Sequence, residues 1–377
     1  MRIAFHAPMK PPDHPVPSGD RRVGRLLWQA LERAGHQVAY GSEMRIYDSE
    51  GEDWHQRMIE DAAAQETRTL LAAYRRHREG VPELWFTYHN YYKAPDLIGP
   101  AIARALRIPY FLAESSHAPK RAGGPWARWH EKAAEATLAA DRLICFTRLD
   151  RAMLARLAGE EKLADLPAFI DAAPFLAARR EPSRRALAAR HGIDAGPAWL
   201  LSVAMMRSRD KLDSYRRLAA ALVLLPEATP DWRLLVAGDG PARKEVEEAF
   251  RPFGARVVFL GAQEEAALPT LYAAADLYVW PAVNEAFGMA FLEAQAGGLP
   301  VIAGRVRGVP DVVREGETAL LVEETPEAFA AALATLLSDA PRRLRMGETA
   351  RLFIGAERDL PAAARRLGEL IAPYERP

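Results

Sequence analysis

Short apolar runs alternate along the chain with longer stretches of helical period. In the first half the runs are Ile3–His6, Gln37–Tyr40, Leu84–Tyr88, Tyr110–Ala113 and Arg142–Phe146. They show little strict apolar–polar alternation, which is how strands covered on both faces of a parallel sheet read. Between the first two, Arg22–Ala34 sets Val23, Leu26, Leu27, Ala30 and Leu31 on one stripe, and Gly35 stops the helix. The second half repeats this grammar. Strands are predicted at Trp199–Ala204, Arg233–Ala237, Val257–Leu260, Leu277–Trp280, Val301–Ala303 and Ala319–Val322. Helices are predicted at Tyr215–Leu225, Lys244–Phe250, Ala267–Ala275, Ala290–Ala296 and Pro326–Leu337. Two blocks of alternating strand and helix predict an α/β chain with two doubly wound domains.

The stretch Asp171–Pro197 carries Pro174, Pro182, Pro197 and the Arg179–Arg180 pair, and reads as a linker. The expected domains are therefore 1–175 and 190–355, followed by a tail helix at Glu357–Tyr374. A length of 377 residues suits two domains. Fifty Lys and Arg balance fifty Asp and Glu. No global basic field for nucleic acid results, and no nucleic-acid partner is expected. Cys145 is the only cysteine, which excludes an internal disulfide and a thiolate zinc cage, and its place in a strand makes it structural. The opening MRIAFHAP is broken too early by Pro8 and Lys10 to read as a signal peptide, and no apolar run is long enough to span a bilayer. A cytoplasmic protein is the expectation, with peripheral contact at the inner membrane face as its variant.

Open α/β sheets bind ligands beyond the carboxyl ends of their strands, so chemistry is sought just after each strand. With two such domains, the expected ligand site is a central cleft that both face. The richest stretch is Trp280–Ala303. Asn284 and Glu285 follow a strand, and Phe287-Gly288-Met289 leads into a helix. Free N–H groups and the dipole at that helix start suit a phosphate, and Gly288 permits close backbone approach. Glu293, eight residues after Glu285, lies inside an apolar helix, where a carboxylate needs a polar partner such as a ribose diol.

The Glu285–Glu293 spacing resembles the E-x7-E signature of the family 4 retaining glycosyltransferases, which have the GT-B architecture of two Rossmann-like domains. Further elements follow in the family's order. Pro167–Asp171 is similar to its domain-boundary "P-N-G-I-D". Gly238-Asp239-Gly240-Pro241 resembles its "GDGP" turn, and Phe259-Leu260-Gly261 its "F-L-G". Gly308–Val313 resembles "G-x-P-E-x-V", and Gly316–Val322 the strand after it. The resemblance implies transfer of a sugar from a nucleotide-diphosphate donor to a glycan, lipid or small-molecule acceptor, with retained configuration and without metal or other cofactor. Under it, Glu285 contacts the donor sugar and Glu293 the ribose. Phe287, Gly288, Met289, Asn284 and Gly238 line the donor. Lys211 neutralises the diphosphate, and Ser18-Gly19-Asp20 matches the glycine-rich loop of the first domain.

Two departures stand out. The family's usual Arg ahead of the Lys falls on Met205 or Met206, and Arg207 or Arg209 supplies the second cation. The family's His after the Tyr110–Ala113 strand is replaced by Glu114 or by His117. The same architecture also admits a nucleotide-sugar epimerase or hydrolase, or a catalytically weak partner or sugar-binding subunit. The stretch Pro119–His130 mixes Lys120, Arg121, Trp126, Arg128 and Trp129. It reads either as an acceptor or membrane-surface contact or as a loop whose tryptophans pack on the first domain.

Overall fold

The computed structural model describes residues 1–16 and 18–375. The chain divides into two compact units, Met1–Pro167 with Leu360–Pro377, and Ala168–Asp359.

In the first unit, strands β1 (Arg2–His6), β2 (Gln37–Ser42), β3 (Leu84–Asn90), β4 (Tyr110–Ser115), β5 (Arg142–Cys145) and β6 (Leu163–Asp165) form one sheet. Its order is β2-β1-β3-β4-β5-β6, and every pairing is parallel. Phe5, Leu84, Phe86, Phe111 and Leu143 are fully buried in it, as unalternated apolar runs require. β6 is absent from the hydrophobic pattern because three residues after the Glu160–Lys162 turn are too few to show a period. The helix Gly19–Arg33 buries the predicted stripe of Val23, Leu26, Leu27, Ala30 and Leu31. The last helix, Leu360–Ile371, begins later than the sequence suggested. It buries Ala363, Ala364, Leu367 and Ile371 and packs against Gly19–Arg33.

In the second unit, β7 (Ala198–Val203), β8 (Trp232–Ala237), β9 (Val257–Gly261), β10 (Leu277–Trp280), β11 (Val301–Gly304) and β12 (Ala319–Val322) form a parallel sheet. Its order is β12-β11-β10-β7-β8-β9. The stretch expected as a linker is part of this unit. It folds into the helices Ala173–Ala177 and Arg180–His191. The cause is Arg184, which is buried. Its guanidinium donates to the carbonyls of Ala274, Ala195 and Pro197 and to Asp276, and lies 4.1 Å from the Trp199 ring centre. A buried guanidinium must satisfy its fork of donors, and this one ties the helix to two strand starts. Residues 168–175 belong here as well. Ile170 bridges Asp359, and the Asp359 carboxylate accepts from the Ala172 N–H at 2.9 Å. Among the described residues no helix is long and apolar enough to cross a membrane.

Candidate functional site

The order of the second sheet reverses at β7: β8 and β9 lie to one side, β10, β11 and β12 to the other. The gap between β7 and β10 is thus a topological switch point, where loops diverge and leave room for a ligand. Lys211, just beyond β7 in the helix Asp210–Val223, and Glu285, in the loop after β10, form an ion pair across this point. Both side chains are about one-fifth exposed, at 20% and 19%. The ammonium also lies 5.4 Å from the centre of the Trp280 ring, which is itself buried. Carboxylate and ring hold the ammonium at the carboxyl edge of the sheet.

The surrounding loops are fixed by unusual backbone. Arg209, Ala282, Asn284 and Arg307 all have positive φ, at 64°, 64°, 53° and 39°. Such conformations cost energy in non-glycine residues and gather where a site must be shaped. Asn284 links two of the loops. Its amide donates to Asp210 at 2.9 Å, and its carbonyl oxygen accepts from Arg307 at 3.0 Å. Ser214 accepts from the Val283 N–H at 3.0 Å while donating to the Asp210 carbonyl. Gly288, at φ 79°, caps the helix Met289–Ala296. A Cβ there would sit 2.6 Å from the Phe291 ring and 3.2 Å from Cγ of Glu285. Glycine is therefore required both for its conformation and for its contacts. Phe287 is buried and Met289 half-buried beside it.

Gly238 turns its α-carbon onto the neighbouring loop. A Cβ would lie 1.9 Å from the Ala204 carbonyl oxygen, so the turn Gly238–Pro241 docks backbone to backbone on residues 204–206. The Met206 N–H donates to the Asp239 carbonyl and the Ala242 N–H to the Met206 carbonyl, both at 2.9 Å. The Asp239 carboxylate accepts from the Gly240 N–H, as a turn former does. Arg207 and Arg209 are both exposed, and neither makes a side-chain ion pair or hydrogen bond among the described residues. Glu293 is 3% exposed and accepts from the Tyr272 hydroxyl at 2.8 Å. The polar partner demanded by an apolar helix is thus present within the unit. Burial, with Glu293 and Glu285 adding to it, holds the Tyr278 phenol well above its ordinary pKa.

The corresponding edge of the first unit gathers a different set of groups. β3 and β4 run in register, with Tyr88 opposite Ala113 and Asn90 opposite Ser115, so His89 and Glu114 stand side by side. Both have positive φ, 70° and 55°. Burial, reinforced by the negative charge of Asp20, pushes the Glu114 carboxyl up to about 8, although a hydrogen bond with Tyr88 opposes the shift. Burial lowers the His89 imidazole, with Asp20 opposing, and their closest atoms are 3.8 Å apart. One oxygen of Glu114 and Nδ1 of His89 are buried without a hydrogen-bond partner. Asp20 sits in the first turn of the helix Gly19–Arg33, where Ser18 is the N-cap and accepts from the Arg21 N–H at 3.2 Å. A Cβ on Gly19 would meet nothing within 4 Å, so the space beside this helix start is open. His117 lies further along the loop. Its ring is 4.6 Å from that of His130, and burial and that neighbour lower its pKa. Burial pushes the Cys145 thiol up to about 12, which keeps it unreactive.

The structure thus brings Lys211, Asn284, Glu285, Phe287, Gly288 and Met289 to one sheet edge, and Ser18, Gly19 and Glu114 to the other. Sequence reasoning missed His89, Tyr272 and Arg307. For His89 and Arg307 the signal existed: His89 is the next-to-last residue of β3 and Arg307 follows β11, each at the carboxyl end of a strand. Tyr272 had none, since it lies within a helix and meets Glu293 only through folding.

The sequence profile of the family described as "Glycosyl transferases group 1" matches residues 183–353. A D-inositol 3-phosphate glycosyltransferase of Corynebacterium glutamicum (strain R) is 41% identical over 157 residues, which is 41% of this chain and 35% of that protein. The chain spans about a third of the length of such relatives. An alpha-D-kanosaminyltransferase of Streptomyces kanamyceticus is 29% identical over 252 residues, covering 66% of this chain and 64% of that protein. Among solved structures, a sucrose-phosphate synthase from Thermosynechococcus elongatus superposes with a TM-score of 0.71 at 22% identity, over 99% of this chain and 98% of that one. The Anabaena protein Alr3699/HepE, solved in complex with UDP, gives 0.74 at 16% identity, over 99% and 100%. The fold is GT-B, with two Rossmann-like units, and residues 183–353 match the glycosyl transferases group 1 family.

Proposed function

We propose that the protein is a retaining glycosyltransferase that moves a sugar from a nucleotide-diphosphate donor to an acceptor hydroxyl. The observation that carries this reading is the Lys211–Glu285 pair across the switch point of the second sheet. A donor brings a diphosphate for the ammonium and sugar hydroxyls for the carboxylate. Binding would exchange one internal ion pair for two ligand contacts. As the anomeric C–O bond to phosphate breaks, charge accumulates on the leaving diphosphate. Lys211, the exposed guanidiniums of Arg207, Arg209 and Arg307, and the helix mouth at Gly288 face that charge. The new bond joins the anomeric carbon to the acceptor oxygen, and the acceptor proton passes to a leaving phosphate oxygen. These cations leave no charge for a metal to neutralise, so activity is expected to survive EDTA. Glu293 takes the ribose diol in this reading, with Tyr272 orienting its carboxylate.

The test is a panel of UDP-, GDP- and ADP-sugars, UDP first because a protein of similar fold was solved with it. Thermal stabilisation by one nucleotide, with sugar release or transfer that Glu285→Ala abolishes, supports the reading. Wild type and variant equally inert on every donor, with no nucleotide raising Tm, would refute it.

A further inference from the structure

Half of the Trp-rich stretch after β4 is structural. Trp129 is fully buried and its indole donates to Glu60 at 3.0 Å, while Arg128 pairs with the same carboxylate. Trp126 is different. It stands half-buried at the carboxyl edge of the first sheet, where the loops after β2, β3 and β4 meet. The β3 loop turns tightly between Tyr91 and Ala94, which exchange backbone hydrogen bonds and leave Tyr92 and Lys93 at the corner. The Lys93 ammonium lies 4.5 Å from the Trp126 ring centre. The Arg121 guanidinium lies 5.1 Å from both the Trp126 and the Tyr92 ring centres. The two rings meet edge to face at 5.6 Å. The β2 loop anchors the platform: Gln56 donates to the Pro125 carbonyl at 3.1 Å, and Gly51 has no room for a side chain against Pro125.

This arrangement is only partly satisfied: the Lys93 ammonium donates to the Ser49 carbonyl at 3.1 Å, and among the described residues no further hydrogen-bond partner is provided for its charge. Among the described residues neither Lys93 nor Arg121 has a carboxylate within ion-pair range. Nε of Arg121 and Nε1 of Trp126 are buried without an acceptor. A buried N–H donor with no acceptor is costly and rare, and a guanidinium fork and an ammonium gathered around one indole match a dianionic oxygen cluster. We propose that Lys93, Arg121, Trp126 and Tyr92 form a binding site for a phosphomonoester carried by the sugar acceptor. The two cations take the phosphate oxygens, the indole N–H donates to one of them, and the Tyr92 ring lies against the attached apolar face. That the ligand is an acceptor rests on the glycosyltransferase reading; that the site takes a phosphomonoester does not.

The experiment measures binding without donor or turnover. Calorimetry on the full chain compares a hexose 6-phosphate with the same hexose. Sedimentation compares vesicles of phosphatidic acid in phosphatidylcholine with phosphatidylcholine alone. Wild type is expected to bind the phosphorylated probe ~10-fold or more tightly than its neutral counterpart, and Lys93→Ala/Arg121→Ala to lose that preference. Trp126→Phe, which keeps the ring and removes the N–H, should weaken the same probe by a smaller factor. Preference in the soluble arm assigns a soluble sugar phosphate; preference in the vesicle arm alone assigns a lipid headgroup. No preference in either arm, or a preference that the double variant retains with unchanged Tm, overturns the proposal. If the preference is found but no nucleotide-sugar is ever turned over, the transfer reading fails and this site stands.

Discussion

The two units are built on one plan and handle charge in opposite ways. Each is a six-stranded parallel sheet whose loops collect polar groups at the carboxyl edge. In the second unit charged side chains are paired across loops: Lys211 with Glu285, and Arg307 with Asp210 through Asn284. At the ends of β3 and β4 in the first unit, burial instead disfavours the charged forms: it raises Glu114 and Tyr88 and lowers His89. An edge of formed ion pairs suits a ligand that arrives charged. A cluster of neutral acids and bases suits a hydroxyl that must give up or share a proton. Under the proposed function, the difference divides the labour of the transfer between the units.

The largest effect should come from the ionised side. If the proposed reaction holds, Lys211→Ala removes the cation that faces the leaving diphosphate and is expected to lower kcat by roughly 10²–10³. Lys211→Arg keeps the charge and should recover part of the loss. Steady-state kinetics on a turned-over nucleotide-sugar decide it. A tenfold rise in KM with unchanged kcat would mean that the ammonium binds the ground state only, and the electrostatic contrast would lose its meaning. Next in size are two structural tests of the same edge. Gly288→Ala forces a positive φ on a side chain that meets Phe291, and should cost about 1–3 kcal/mol, read as a lower Tm. Tyr272→Phe removes the hydroxyl that donates to a buried carboxylate, and should cost a similar ~1–3 kcal/mol. Stability unchanged in both variants would mean that the edge is looser than the contacts imply.

How much of this was legible beforehand follows the same division. Eleven apolar runs marked their strands because strands covered on both faces must be continuously apolar. The Glu285–Glu293 spacing and Gly288 were legible because a helix start and a tight turn leave local signatures. The linker reading of Asp171–Pro197 failed because prolines and arginines look the same in a tether and in a helix. What distinguishes them is Asp276, distant in sequence, which receives Arg184. His89 could not be ranked above other histidines, since its place beside Glu114 comes from β3–β4 register. The pairing of Trp126 with Lys93 is likewise a product of two loops meeting.

The neutral side is tested by pH. Glu114 titrates near 8 in the fold and near 4.5 when unfolded. Between those values the unfolded chain has lost the proton that the folded chain keeps. Stability should therefore fall as pH rises through this window, by at most about 1.4 kcal/mol per unit, and level off above about 8. Glu114→Gln should flatten the profile and make the protein more stable near neutrality. A wild-type Tm that does not fall between about pH 5 and 8 would mean that Glu114 is ionised, and both edges would then carry charge.

The smallest expected effect on the fold is at Gly19. Its Cβ position is open, and its backbone is that of an ordinary first helical residue. Gly19→Ala should leave Tm unchanged or raise it by up to about 1 kcal/mol of stability, because alanine costs less entropy to order. If residue 19 is glycine so that a ligand can touch its backbone, ligand affinity should fall while Tm does not. Serine at the adjacent cap gives the contrast. Ser18→Ala removes the bond to the Arg21 N–H and should lower stability by about 1 kcal/mol. A stable Gly19→Ala with reduced binding, beside a less stable Ser18→Ala with normal binding, would locate the ligand at the helix mouth itself. If both variants bind as wild type does, this helix start is only a support for Asp20, and the chemistry of the first unit rests on His89 and Glu114 alone.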